Sequence, residues 1–233
     1  MPTSPHQQTE DRTPAAPAPT PRRSLGLLTV PLLVLPALLL ALITWQVMTD
    51  GPLLTLDGHL SHALIHPDRF SELLSDLGNV QIALPVLVLV TVYVALHGQW
   101  EGRPRWWLPP VAALVAMTLV PLIVVPLKDW TARPGTPAVP PATGYYPSGH
   151  TATAAVAYGS AAMILLPWLL TALARRLAVA TAALLVLAVS YGLVRRGYHW
   201  PLDVLASWCL CTALLGALWL FLHRATRPDP AKP

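Results

Sequence analysis

Six apolar runs, at about 25–48, 79–97, 106–127, 149–170, 177–194 and 203–222, constrain this chain more than any other feature. Each is close to the ~20 residues that an α-helix needs to cross a hydrocarbon layer of about 30 Å. A backbone in lipid must satisfy its own N–H and C=O groups, which leaves helices or closed barrels. The charged fraction, 11% against about 25% in an ordinary soluble domain, excludes a conventional soluble fold. Leu, Ala and Val dominate the apolar 54%. The expectation is an all-α integral membrane bundle of six transmembrane helices.

The segments between the runs set the organisation. Residues 1–24 are rich in Pro, Thr, Ala and Gln without periodicity, and read as a disordered cytoplasmic tail. Arg22-Arg23-Ser24 precede the first run, a pattern that can mark a twin-arginine export signal. The run at 25–48 is longer than a signal-peptide core, so it reads as the first transmembrane helix. Residues 49–222 then form a core with five further spans, and 223–233 a short cytoplasmic tail. Within 49–78, Leu56, Leu60, Leu64, Leu73, Leu74 and Leu77 suggest short amphipathic helices at the interface. His59, His62 and His66, with Asp57 and Asp68 nearby, resemble one face of a metal-binding helix. The alternative is an interfacial helix with its histidines turned outward; spacing fixes no fourth ligand, and no metal is expected. Trp106 and Trp107 read as an aromatic belt opening the third span. Prolines from Pro134 to Pro147 break the next segment, read as non-helical from Lys128 onward. Cys209 and Cys211 are two apart on different helix faces and read as small packing residues.

Charge orients the bundle. With the N-terminus in the cytoplasm and six alternating spans, both termini are cytoplasmic. The inner segments then hold ten cations: Arg12, Arg22, Arg23, Arg103, Arg105, Arg175, Arg176, Arg224, Arg227 and Lys232. The outer segments hold five: Arg69, Lys128, Arg133, Arg195 and Arg196. That asymmetry follows the positive-inside rule. The net charge of +4 thus reads as orientation; no basic stripe with interleaved aromatics suggests a nucleic-acid partner. The expected location is the cell membrane, with multiple passes.

The same alternation puts three polar clusters on the outer face. The first, Lys128 to Pro137, contains Lys128, the sole lysine before the C-terminal Lys232. A compact ammonium amid thirteen arginines suits either a snorkelling anchor or a chemical role. The second, Tyr145 to Thr151, places Ser148, Gly149 and His150 where a helix begins. Free amides and the helix dipole there favour an anion, and a protonated His150 can give a proton to a leaving oxygen. The third, Arg195 to Asp203, puts His199 four residues before Asp203, with Pro201 suited to a first helical turn. A carboxylate holding one ring nitrogen leaves the other free as nucleophile or base. With Lys128, Arg133 and Arg195 or Arg196, three cations would face two histidines, which suits a phosphoryl group. No carboxylate cluster offers itself to magnesium, so metal-free chemistry without a cofactor is expected.

These motifs resemble the membrane-bound type 2 phosphatidic acid phosphatases, which share a catalytic core with vanadium haloperoxidases. The family pattern is Lys-x6-Arg-Pro, then Pro-Ser-Gly-His, then Ser-Arg-x5-His-x3-Asp. Pro147-Ser148-Gly149-His150 and the His199-x3-Asp203 spacing match. The resemblance implies that His199 forms a phosphohistidine, Asp203 orients it and His150 protonates the leaving group. It implies that Lys128, Arg133, Ser148 and Gly149 bind phosphate, with Arg195 and Arg196 nearby. The implied substrate is a lipid phosphomonoester or an isoprenyl pyrophosphate at the extracytoplasmic face. Phosphotransfer to an alcohol, or a non-catalytic protein keeping the fold, are the alternatives. The chain departs from the pattern in two of the three motifs. Gly135 stands where the first motif has arginine, while Arg133 matches an arginine that many members carry two residues earlier. Gly192 and Leu193 stand at the Ser-Arg positions, with Arg195 and Arg196 just beyond. Each missing charge-assisted contact weakens the hold on phosphate by about 1.5–3 kcal/mol.

Overall fold

The computed structural model describes residues 29–225. The expected tail at 1–24, the start of the first span at 25–28 and the chain beyond 225 lie outside the described residues. Among the described residues eight helices follow one another: α1 (Val30–Met48), α2 (Pro52–Leu64), α3 (Arg69–Asp76), α4 (Val80–Trp100), α5 (Leu108–Thr131), α6 (Gly149–Leu165), α7 (Ala172–Arg196) and α8 (Pro201–Ala225). A short 3₁₀ turn at Leu166–Trp168 extends α6. Among the described residues no strand forms beyond one isolated bridge between Pro134 and Thr143. Helices α1, α4, α5, α6, α7 and α8 are long and apolar enough to span a bilayer, as the sequence predicts.

Helix α6 is the hub, packing against α4, α5, α7 and α8. Its most apolar window is 56% buried, against 22% for α4, although it is the least hydropathic of the six. Both facts have one cause. Ala152, Ala154, Ala155, Ala157 and Ala161 are all buried on α6, and small side chains let four helices approach closely. Lipid tails are as apolar as leucine, so close van der Waals packing, not apolar transfer, holds such helices together. The leucines and valines of α1, α4, α5 and α7 are largely left on the outer surface, where a bilayer solvates them.

Several boundaries differ from the sequence expectation. Helix α5 continues past 127 to Thr131, so Lys128 lies on its last turn. The first proline of the following segment is Pro134, which restrains only the residue just before it, so 128–131 remain free to stay helical. Ala132 ends the helix in a left-handed conformation, φ +43°, its N–H bonded to the Lys128 carbonyl. Helix α5 begins at Leu108, with Trp106 and Trp107 preceding it. Helix α7 begins at Ala172 instead of 177, because the Thr171 hydroxyl caps it by accepting from Ala174 N–H at 3.1 Å. Arg175 and Arg176 therefore sit on its first turns and not in a loop. At its other end α7 reaches Arg196, two residues past the expected limit.

The two short helices form as expected, but their buried sides are polar. Asp57 and Ser61 of α2 and Ser71 and Ser75 of α3 are buried, while Leu56, Leu60, Leu64 and Leu73 are exposed. Helix α3 is held by a capping box, with the Asp68 carboxylate accepting from Ser71 N–H at 2.7 Å. It lies along α7, and α2 touches α7 and α8. Both cover the end of the bundle where the three polar clusters converge.

Candidate active site

The first contacts at that end join the clusters through their backbones. Ser148 N–H donates to the Asp203 carbonyl at 3.1 Å, so α6 and α8 start side by side. The Ser207 hydroxyl lies 2.9 Å from both the Ser148 and the Asp203 carbonyls. The Thr136 hydroxyl donates to the Gly197 carbonyl, tying the loop after α5 to the α7–α8 junction. Tyr146, fully buried, donates its hydroxyl to Thr44 of α1 at 2.8 Å, and Thr44 in turn donates to the Leu40 carbonyl. Burial pushes the Tyr146 phenol up to about 12, so it is a neutral donor throughout the physiological range.

His199 Nδ1 lies 3.1 Å from Asp203 Oδ2, which also accepts from Trp200 N–H at 3.1 Å. A neutral His199 with its Nδ1 proton directed at that carboxylate keeps its lone pair on Nε2. The His199 ring is buried except toward a cavity of about 920 Å³, whose wall also includes Lys128, Tyr145, Gly149, His150 and Asn79. Lys128 spends one of its three donors on the Gly144 carbonyl at 2.7 Å. A Cβ on Gly149 would lie 3.9 Å from Lys128 Cε, so the ammonium arm runs beside the start of α6. Ser148 is the N-cap there; its buried hydroxyl oxygen accepts from Thr151 N–H at 3.3 Å. The Tyr145 ring stands edge-on to His199 with centroids 5.9 Å apart.

Of the nine residues that the sequence singles out, five meet at or directly behind this cavity: His199, Asp203, His150, Lys128 and Gly149. Ser148 caps the helix just behind its wall. The three arginines are placed elsewhere. Arg133 is 6% exposed and clamped at both ends, Nη1 to Asp203 Oδ1 and Nη2 to Asp57 Oδ2, each at 2.5 Å. Its charge is spent on two buried carboxylates, and it is absent from the cavity wall. Arg195 pairs with Asp68 at 2.9 Å, and Arg196 lies 3.7 Å from Glu72 and 3.3 Å from the Tyr198 hydroxyl. Both arginines dock α3 onto α7 and lie off the cavity wall. Among the described residues, Lys128 is the Lys or Arg side chain on that wall.

The two departures from the motif pattern have visible consequences. A side chain at Gly135 would meet the Tyr145 ring at 2.7 Å and Val139 at 2.6 Å, so this glycine lets Tyr145 pack close against the loop. Leu193 is fully buried in the apolar core.

Two residues of the site are missed by sequence reasoning. Asp57 stands out in the sequence only as a neighbour of the histidine cluster, yet it caps α8 from another helix. Its Oδ1 accepts from Leu202 N–H at 2.8 Å while Oδ2 holds Arg133. Burial pushes the Asp57 carboxyl up from its ordinary range, opposed by Arg133. The available signal was a lone acid among leucines on an amphipathic helix. Asn79, which precedes α4, accepts at Oδ1 from His150 Nε2 at 2.9 Å; an asparagine before a helix reads as an ordinary cap and signals nothing more. His59, His62 and His66 are exposed, and among the described residues no group of three or more His, Cys, Asp or Glu is placed to share a metal.

Six spanning helices, with a histidine–carboxylate pair, a second histidine and a lysine gathered at one end, define a multi-pass membrane protein. The sequence model of the PAP2 superfamily matches residues 109–227, just over half of the chain, and the chain belongs to that superfamily. Membership supports a membrane lipid phosphatase. The solved structure described as the first transmembrane PAP2 type phosphatidylglycerolphosphate phosphatase, from Bacillus subtilis, has a similar fold. The TM-score is 0.67 at 24% identity, over 83% of this chain and 96% of that one. No curated protein sequence matches the chain.

Proposed function

We propose that this protein hydrolyses a lipid phosphomonoester or pyrophosphate through a phosphohistidine on His199, at the extracytoplasmic face. One observation carries the reading. The free Nε2 of His199 opens on a cavity that also holds His150, Lys128 and the start of α6, and that continues down an apolar wall. Leu84 of α4 and Leu114, Met117, Val120, Pro121 and Val124 of α5 form that continuation. A phosphate at the polar end and an acyl or prenyl chain along the apolar wall match the cavity's two chemistries.

The steps balance on these groups. His199 Nε2 attacks phosphorus, the bond from phosphorus to the leaving oxygen breaks, and the proton of His150 moves to that oxygen. Water then attacks the phosphohistidine, His150 takes its proton, phosphate departs and His199 recovers its lone pair. Lys128 and the amides at the start of α6 stabilise the equatorial oxygens. Asp203 holds His199 in the reactive tautomer, and Arg133 with Asp57 holds Asp203. Metal independence is part of the proposal. The carboxylate oxygens beside the cavity are occupied by Arg133, His199 and backbone N–H groups, which is a poor donor set for a divalent ion. The charge asymmetry between alternating loops supports the outer face.

The test is phosphate release by the purified protein from phosphatidic acid, phosphatidylglycerol phosphate and an isoprenyl pyrophosphate, with and without EDTA. Turnover that survives EDTA and disappears in His199→Ala is the expected result. No turnover on any of the three, or equal turnover in the variant, sinks the proposal. The lack of arginine on the cavity wall favours a second reading, a non-catalytic protein keeping the fold, which predicts the first of those failures.

A further inference from the structure

We infer that Asn79 is a positioning residue for His150, fixing which ring nitrogen exchanges its proton during catalysis. The inference rests on the hydrolase reading above. The Asn79 side chain is in the right place to cap α4, yet it makes no capping hydrogen bond. Instead Nδ2 donates to Asp76 Oδ1 at 3.0 Å, while Oδ1 lies 2.9 Å from His150 Nε2. An ionised carboxylate can only accept, so Asp76 decides which end of the amide faces His150. Asn79 therefore presents its oxygen, and His150 Nε2 must carry a hydrogen in both of its protonation states. The nitrogen that gains and loses a proton is Nδ1.

The turn that carries Asn79 is itself docked on α6. The Tyr158 hydroxyl donates to the Leu77 carbonyl at 2.6 Å. A Cβ at Gly78 would meet the His150 carbonyl at 3.0 Å, its Cβ at 3.1 Å and Val189 at 2.7 Å, so only glycine allows this approach. Asp76, Leu77, Gly78 and Asn79 thus form one support behind His150, with Gly78 and Asn79 on the wall of the cavity.

The charged and titratable groups facing His150 come from three directions. They are His199 before α8, Lys128 on α5 and Asp76 at the end of α3. The neutral amide of Asn79 adds an acceptor without adding charge. It aligns an imidazolium as the general acid without making it too weak to give up its proton.

The experiment is the pH dependence of kcat for Asn79→Ala and Asn79→Asp, together with ¹⁵N NMR titration of His150 in micelles. Asn79→Ala should lower kcat about tenfold with KM changed less than about threefold, as expected for one lost charge-assisted hydrogen bond. The limb that reports protonated His150 should move to lower pH in Asn79→Ala and to higher pH in Asn79→Asp, where a carboxylate favours the imidazolium. NMR should show wild-type His150 with its neutral form protonated at Nε2. Limbs that stay in place or move in the same direction, or an Nδ1–H neutral form, overturn the inference. Because the titration needs no turnover, it decides the role of Asn79 even if the wild-type protein hydrolyses nothing.

Discussion

Replacing Arg133 by Met removes the cation that separates two buried carboxylates. The Arg133 side chain is 6% exposed, and the side chains of Asp57 and Asp203 are 1% and 0% exposed. Breaking a buried ion pair from one side costs about 3–5 kcal/mol, because a charge is left without a partner. A second estimate agrees. A stranded Asp57 can escape by taking a proton, and from an ordinary pKa of about 3.9 that costs about 4 kcal/mol at pH 7. Without Arg133 the folded-state pKa of Asp57 lies still further above its unfolded value. The variant is therefore penalised least in acid and loses stability as pH rises from the ordinary carboxylate range up to that raised value. The difference from wild type should shrink by about 1.4 kcal/mol for each pH unit below 7. Unfolding in micelles from pH 5 to pH 8, alongside phosphate release, measures both effects. Adding Asp57→Asn to Arg133→Met should restore most of the lost stability, and kcat should remain more than about tenfold down because Asp203 has lost its clamp. If Arg133 instead held the substrate phosphate, KM would rise, stability would be unchanged at every pH, and Asp57→Asn would rescue nothing. That pattern would refute the assignment of Arg133 as the clamp of Asp203.

Two further outcomes follow from the same geometry. Lys128→Met should raise KM for the lipid phosphate, lower kcat about tenfold and weaken inhibition by inorganic phosphate, since it removes the lysine ammonium from the cavity wall; unchanged inhibition would place the anion elsewhere. Asp68 accepts from Ser71 N–H and from Arg195, which together hold its carboxyl down at about 2. Its support for the α3–α7 contact is complete above the ordinary carboxylate range and is lost as pH falls through about 2. Hydrogen exchange of α3 amides should accelerate between about pH 4 and pH 2 in wild type and show no such step in Asp68→Asn.

The cationic motif residues show where reading a sequence stops. His150, His199 and Asp203 were legible because each sits at a helix start, where spacing alone predicts its direction, and Lys128 because it is the sole lysine before the C-terminal one. Arg133 was legible as important but not in its role. Its two partners are 76 and 70 residues away, and nothing local distinguishes an arginine that meets phosphate from one that meets carboxylates. Arg195 and Arg196 were expected at the site because they belong to the same polar cluster as His199. The structure carries α7 on to Arg196 and packs α3 alongside, where Asp68 and Glu72 engage both arginines. Lys128 was expected in a loop, and the last turn of α5 instead sets it beside the start of α6.

The sequence by itself determined the six spans, their order and the meeting of a Ser-Gly-His helix start with a His-x3-Asp helix start. Partition into lipid and helix initiation are local properties, decided by residues a turn or two apart. Tertiary structure alone decided that α2 delivers Asp57 to Arg133 and that the α3–α4 turn delivers Asn79 to His150. Both α2 and α3 bury their polar sides, the reverse of a soluble helix, and the chain does not write down which distant charge or ring a buried polar side will meet. That choice follows from the packing of α3 along α7 and of α2 against α7 and α8.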